Sequence, residues 1–218
     1  MAVGRERTVV RGRTDDPIAR IQTAEGDAAQ PARFSHGLWA VILFVSSEAM
    51  FFAALFTTYF FMRARIPEWQ PIFGHKPTWS GDEALPIPLL NTIVLVASSV
   101  TMQLAVWAIQ KENRGAFVRW LALTVIMGAI FLTVQGWEYT QLGFTPPDGI
   151  FAAVFFTLTG FHGAHVFGGL VFITYCLVRA TRGHFSRRRH LAVEAASIYW
   201  HFVDVVWIGL FTTIYVIG

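Results

Sequence analysis

Five long apolar runs dominate this chain, and the polar residues that interrupt them are few enough to name singly. From His36 to Met62 the only ionisable residue within the run is Glu48. Further runs cover about 88–109, 117–139, 150–178 and 192–217. Each is long enough for a helix to cross a hydrocarbon layer ~30 Å thick. The pattern predicts an all-α fold, a polytopic membrane bundle of five transmembrane helices.

The connections separate cleanly from the runs. Residues 1–35 carry six Arg and five acids with no apolar run, the composition of a solvated, flexible tail before a membrane domain spanning 36–218. No 7–15-residue apolar core with a cleavage site precedes Leu38, so the tail does not read as a secretory signal. Between the first two spans, Arg63 to Pro86 holds Pro67, Pro71, Pro77, Trp69 and Trp79, as expected of an interfacial loop. Fourteen of the 17 Lys and Arg fall in the tail, the turn Lys111–Arg119 and the turn Arg179–Arg189; Arg63, Arg65 and Lys76 fall on the other side. The positive-inside rule then predicts a cytoplasmic N-terminus and an outside C-terminus.

Composition narrows the function. Fifty-four per cent apolar residues against 14% charged leave no soluble core to look for. The net charge of +3 follows the membrane sides and forms no continuous patch, so nucleic acid is not an expected partner. Cys176 is the only cysteine and lies in an apolar run, which excludes a disulfide framework and a Cys-x-x-Cys redox or haem-attachment motif.

The candidate chemistry lies in the spans. In the last, Glu194, Ser197, His201 and Asp204 share a narrow helical sector about 15 Å long. A carboxylate at mid-bilayer costs about 2.5–3.5 kcal/mol on insertion scales, so this stripe is expected to face protein. Desolvation disfavours the charged form of Glu48, and a neutral, hydrogen-bonded carboxyl is expected unless His162 or His165 supplies a partner. Gln135 and Glu138 lie about one turn apart at the end of the third span. Gly160, Ala164 and Gly168 form a small-residue stripe suited to close helix contact. Three readings of the ionisable groups compete. Glu48, His162, His165, His201 and Asp204 meet at one depth as a metal or haem site, they form a proton relay or transporter site, or they are mutually bonded groups that fix helix packing. Against a transporter, the spans show no inverted repeat and no matched mid-span breaks.

Several motifs together add a family resemblance: Ser47-Glu48-Ala49-Met50-Phe51-Phe52, Leu89-Leu90-Asn91-Thr92, Gln135-x-x-Glu138-Tyr139, Asp148-Gly149-Ile150, Thr159-Gly160-Phe161-His162-Gly163-Ala164-His165-Val166 and Tyr199-Trp200-His201-Phe202-Val203-Asp204. Their order over about 36–218 resembles subunit III of haem-copper cytochrome c oxidases, in the short five-helix bacterial form that begins at the family's third helix. The resemblance implies a non-redox subunit of the bacterial inner membrane beside the catalytic subunit I, with subunit II in the same complex. Haem and copper would reside in those partners, and His162, His165 and His201 would not be metal ligands. It implies structural phospholipid, with Arg179 and His184 matching positions that contact an anionic headgroup. The family role is to sustain proton uptake into subunit I and to slow its inactivation during turnover. Subunit III of quinol oxidases and an accessory protein of nitric oxide reductases share these motifs, and a free-standing proton-coupled transporter is the reading from another class. Under the family reading the stripe of the last helix either docks that helix or, with His184 and His190 nearby, collects protons at its entrance.

Overall fold

The computed structural model describes residues 36–66, 86–186 and 190–217. The predicted tail, most of the interfacial loop and Arg187 to Arg189 lie outside the described residues. Five α-helices follow in order: α1 His36–Arg65, α2 Pro86–Gln110, α3 Arg114–Gln141, α4 Ile150–Thr181 and α5 Leu191–Phe211. All five are long and apolar enough to cross a membrane, the last together with the turn that follows it.

The first four helices outlast their apolar runs by a few residues, because helical hydrogen bonding continues where polar side chains reach the interface, whereas α5 leaves α-helical geometry at Phe211, short of the expected 217. Thus α1 continues through Arg63 and Arg65. Asn113 starts α3 by accepting the N–H of Ala116 at 3.1 Å. A 3₁₀ turn, Pro146–Asp148, leads into α4. There the Asp148 carboxylate accepts from the N–H and the hydroxyl of Thr145, and this holds its pKa below the ordinary value of 3.8. Gly149 then takes φ 139°, a backbone state that side chains disfavour. Beyond Phe211 the chain widens into a π-turn, Thr212–Val216, closed by Ile217 N–H to Thr212 O at 2.9 Å. From α1, Tyr59 donates its hydroxyl to Thr213 O and Arg63 donates to Ile217 O at 3.1 Å, which satisfies carbonyls at this end.

Helices α2, α3, α4 and α5 close a four-helix ring, and α1 leans on α4 and α5. Contacts fix the directions. Thr92 meets Trp207 and Gln103 meets His201, so α2 and α5 run antiparallel; Phe44 meets Tyr199 and Phe52 meets Phe202, so α1 and α5 run parallel. In α1 only Phe52 and Tyr59 are buried, whereas α5 buries about half its length.

The ring is tied at Trp200, which is 1% exposed. Its ring needs room, and glycine supplies it: a Cβ on Gly128 of α3 or on Gly169 of α4 would stand 2.9 Å from the indole. This corrects the expected small-residue stripe. A Cβ on Gly160 would meet nothing within 4 Å, and Ala164 and Gly168 are exposed. The close approach uses Gly169, one residue on and so turned about 100° around the helix.

Candidate functional site: intramembrane polar groups

The ionisable residues that share a depth along the sequence do not converge in space; with Glu138, and leaving His162 aside, they fall at three places. At the α1–α4 contact, His165 Nε2 lies 2.8 Å from Glu48 Oε2, and His165 Nδ1 lies 2.6 Å from the carbonyl of Phe161. A carbonyl only accepts, so Nδ1 carries a hydrogen. One more proton then lies between Nε2 and Oε2, as a carboxylic acid donating to a neutral ring or an imidazolium donating to a carboxylate. Either way the pair is neutral overall, which suits a low-dielectric setting. Phe52 packs against the imidazole edge-on at 4.9 Å, and Tyr199 donates to the His165 carbonyl at 3.2 Å. Of the two arrangements expected for Glu48, the structure shows the imidazole partner, and that partner is His165.

His162, one turn away, points into the ring and is fully buried. It stacks on Trp207 with centroids 4.8 Å apart and meets Phe131 edge-on. Neither of its nitrogens has a hydrogen-bond partner, so among the described residues it packs as an aromatic ring.

The second place is the end of the bundle where α3 and α5 finish. Tyr215, on the π-turn, donates to Glu138 Oε1 at 2.9 Å. One turn back along α3, Gln135 donates to Thr159 O, and Tyr139 donates to the Thr159 hydroxyl at 2.8 Å. Gln135 and Glu138 therefore serve different partners, α4 and the π-turn that follows α5.

The third is the α2–α5 contact. His201 Nε2 lies 3.3 Å from Gln103 Oε1, and Ser99 stands beside Asp204, which is 7% exposed. Two members of the predicted stripe, His201 and Asp204, thus turn to α2, and Ser197 is buried. The other end of the stripe behaves differently. Glu194 pairs with His190 one turn earlier on its own chain, 3.0 Å away.

At the end of α4, Arg179 and His184 lie together, with the His184 N–H donating to the Arg179 carbonyl at 3.1 Å. The guanidinium lies over Phe185 at 5.4 Å and donates to the Tyr175 hydroxyl at 3.2 Å. His184 is exposed beside it. Among the described residues no three of His, Cys, Asp and Glu are grouped to hold a metal ion.

Three polar residues of the second span, of kinds that hydrogen-bond within or between helices, bind the helices together, and what the sequence left open was their partners. Gln103 stood among several polar residues of its span, and Ser98 and Thr92 are the acceptors of Trp200 and Trp207, both at 2.9 Å. The usable signal was the tryptophans, since a buried indole N–H needs an acceptor.

These features define a five-helix membrane bundle in which several buried or partly buried polar side chains bind one helix to the next. The family model for cytochrome c oxidase subunit III matches residues 17–218. The chain is 42% identical over 182 residues to cytochrome c oxidase subunit 3 of Struthio camelus, covering 81% of this chain and 68% of that protein. The Homo sapiens subunit is 38% identical over 201 residues, covering 91% and 76%, and that of Drosophila melanogaster 40% over 185 residues, covering 81% and 68%. The chain belongs to the cytochrome c oxidase subunit III family.

Proposed function

We propose that this chain is the non-redox subunit III of an aerobic haem-copper terminal oxidase. It lies in the cell membrane beside subunit I, with subunit II in the same complex, and sustains proton supply to subunit I and its durability while oxygen is reduced to water. Family membership supports the assignment, and the positive-inside count supports a cytoplasmic N-terminus. One observation carries the supporting role: the intramembrane groups pair in three separate places, each bridging two helices. The stripe of α5 fits packing better than conduction, because His201 bonds across to Gln103 while Glu194 bonds back to His190. A relay needs hydrogen-bond reach at every step.

Affinity purification of the tagged chain from its native membrane tests the assignment. Haem absorbance and a copper-binding subunit II in the same particle are the expected result. Isolation of the chain alone, with transport activity in liposomes, would overturn it.

A further inference from the structure

Polar side chains on the membrane-facing surface are mostly satisfied by their own helix. Ser46, Thr57, Thr133, Thr157 and Thr174 are exposed, and each donates its hydroxyl to the carbonyl four residues back. Such residues can face lipid at little cost. Gln103 and His201 cannot do this. Their single mutual bond of 3.3 Å uses one end of the amide and one ring nitrogen, and neither side chain has another hydrogen bond among the described residues.

Both are partly exposed and lie within the bilayer, about 10 and 15 Å from the nearer ends of their helices. They also sit in the middle of an open apolar face. On α2 the stripe Val96, Val100, Gln103, Trp107 recurs at helical spacing, and on α5 His201, Val205, Ile208 does the same; the apolar members of both are exposed. Acyl chains offer neither donors nor acceptors, so lipid would leave the spare amide hydrogens and ring nitrogen unpaired.

We infer that the α2–α5 face around Gln103 and His201 docks a membrane-spanning helix of another subunit, one that presents a hydrogen-bonding side chain at their depth. The inference rests on the oxidase-subunit reading above. It specifies the partner's chemistry: apolar at the depths of Val100, Trp107 and Val205, polar between them.

The experiment uses the intact complex carrying a photoreactive benzophenone side chain at Val100 or Val205, with Val171 on α4 as the control position. The expected result is cross-linking from 100 and 205 to a different oxidase subunit, with little from 171. Gln103→Leu with His201→Leu should also reduce the chain retained through detergent purification roughly tenfold, the worth of two inter-helix hydrogen bonds. Cross-links only to lipid or to a second copy of this chain would overturn the inference, as would unchanged retention of the double variant. If the unaltered chain brings down no haem-copper subunit at all, the underlying reading fails, and that outcome is recognised before any cross-link is made.

Discussion

Trp200 on α5 donates its indole N–H to Ser98 Oγ on α2 at 2.9 Å, while its ring fills the space over Gly128 of α3 and Gly169 of α4. One side chain thus holds four helices. Gly169→Ala is expected to lower stability by about 1–3 kcal/mol, the usual penalty of overpacking, reduced by up to ~1 kcal/mol of helix propensity. The added methyl would also crowd Tyr199, whose ring lies 3.1 Å from the same point. Ser98→Ala should cost less, roughly 0.6 kcal/mol. Thermal unfolding of the purified complex in detergent would rank the two; equal midpoints would contradict this view of Trp200.

The Glu48–His165 pair gives a test by chemistry. An apolar carbodiimide needs a protonated carboxyl reachable from lipid, and the pair supplies one when the shared proton sits on Oε2. Glu48 should be labelled. In Glu48→Gln the amide can still donate to Nε2, so the helix contact and stability should be nearly unchanged while labelling is lost. Reaction at the acids outside the membrane with none at Glu48 would exclude a protonated, accessible carboxyl.

At the end of α4, the Arg179 guanidinium stands free of any carboxylate among the described residues, while aromatic rings hold its plane. That prepares it for an anionic headgroup, which a guanidinium binds bidentately. Arg179→Gln with His184→Ala is expected to lower the phospholipid that co-purifies with the complex. Lipid phosphorus per haem reads this, and an unchanged ratio would reduce Arg179 to membrane anchoring.

How much of this was legible beforehand differs by level. The five helices followed from run length alone; Arg63, Arg65, Arg114 and Thr181 continue a helix past its apolar run, while the fifth run finishes in the π-turn Thr212–Val216 rather than as an α-helix. The groups that matter were also visible, because a carboxylate or imidazole within an apolar run stands out. Their partners were not. Which of two histidines three residues apart meets Glu48 depends on about 60° of helix rotation, and so does the choice between Gly168 and Gly169, where the angle is about 100°. Tertiary packing sets that angle, and the hydropathy pattern of an almost wholly apolar helix leaves it nearly free.

Outside the membrane, the Asp148 carboxylate is stabilised in its charged form by Thr145. Its folded pKa is depressed, so its contribution is present above the ordinary Asp value of 3.8 and is lost as pH falls through the lower folded value. Amide protection around Pro146–Ile150, taken relative to the intrinsic exchange rate at each pH, should therefore hold at neutral pH and be lost only in strong acid. Asp148→Asn should lower it at neutral pH and remove that acid step.

The central claim is that this chain supports an oxidase without building its redox centres. Removing the chain from the complex and following both metal content and activity tests it most directly. The complex without it should keep its full haem and copper and its initial rate of oxygen reduction. It should then lose activity over repeated turnovers, faster at high pH, where bulk protons are scarce. Loss of haem or copper on removal would contradict the account, as would a depleted complex that lasts as long as the intact one.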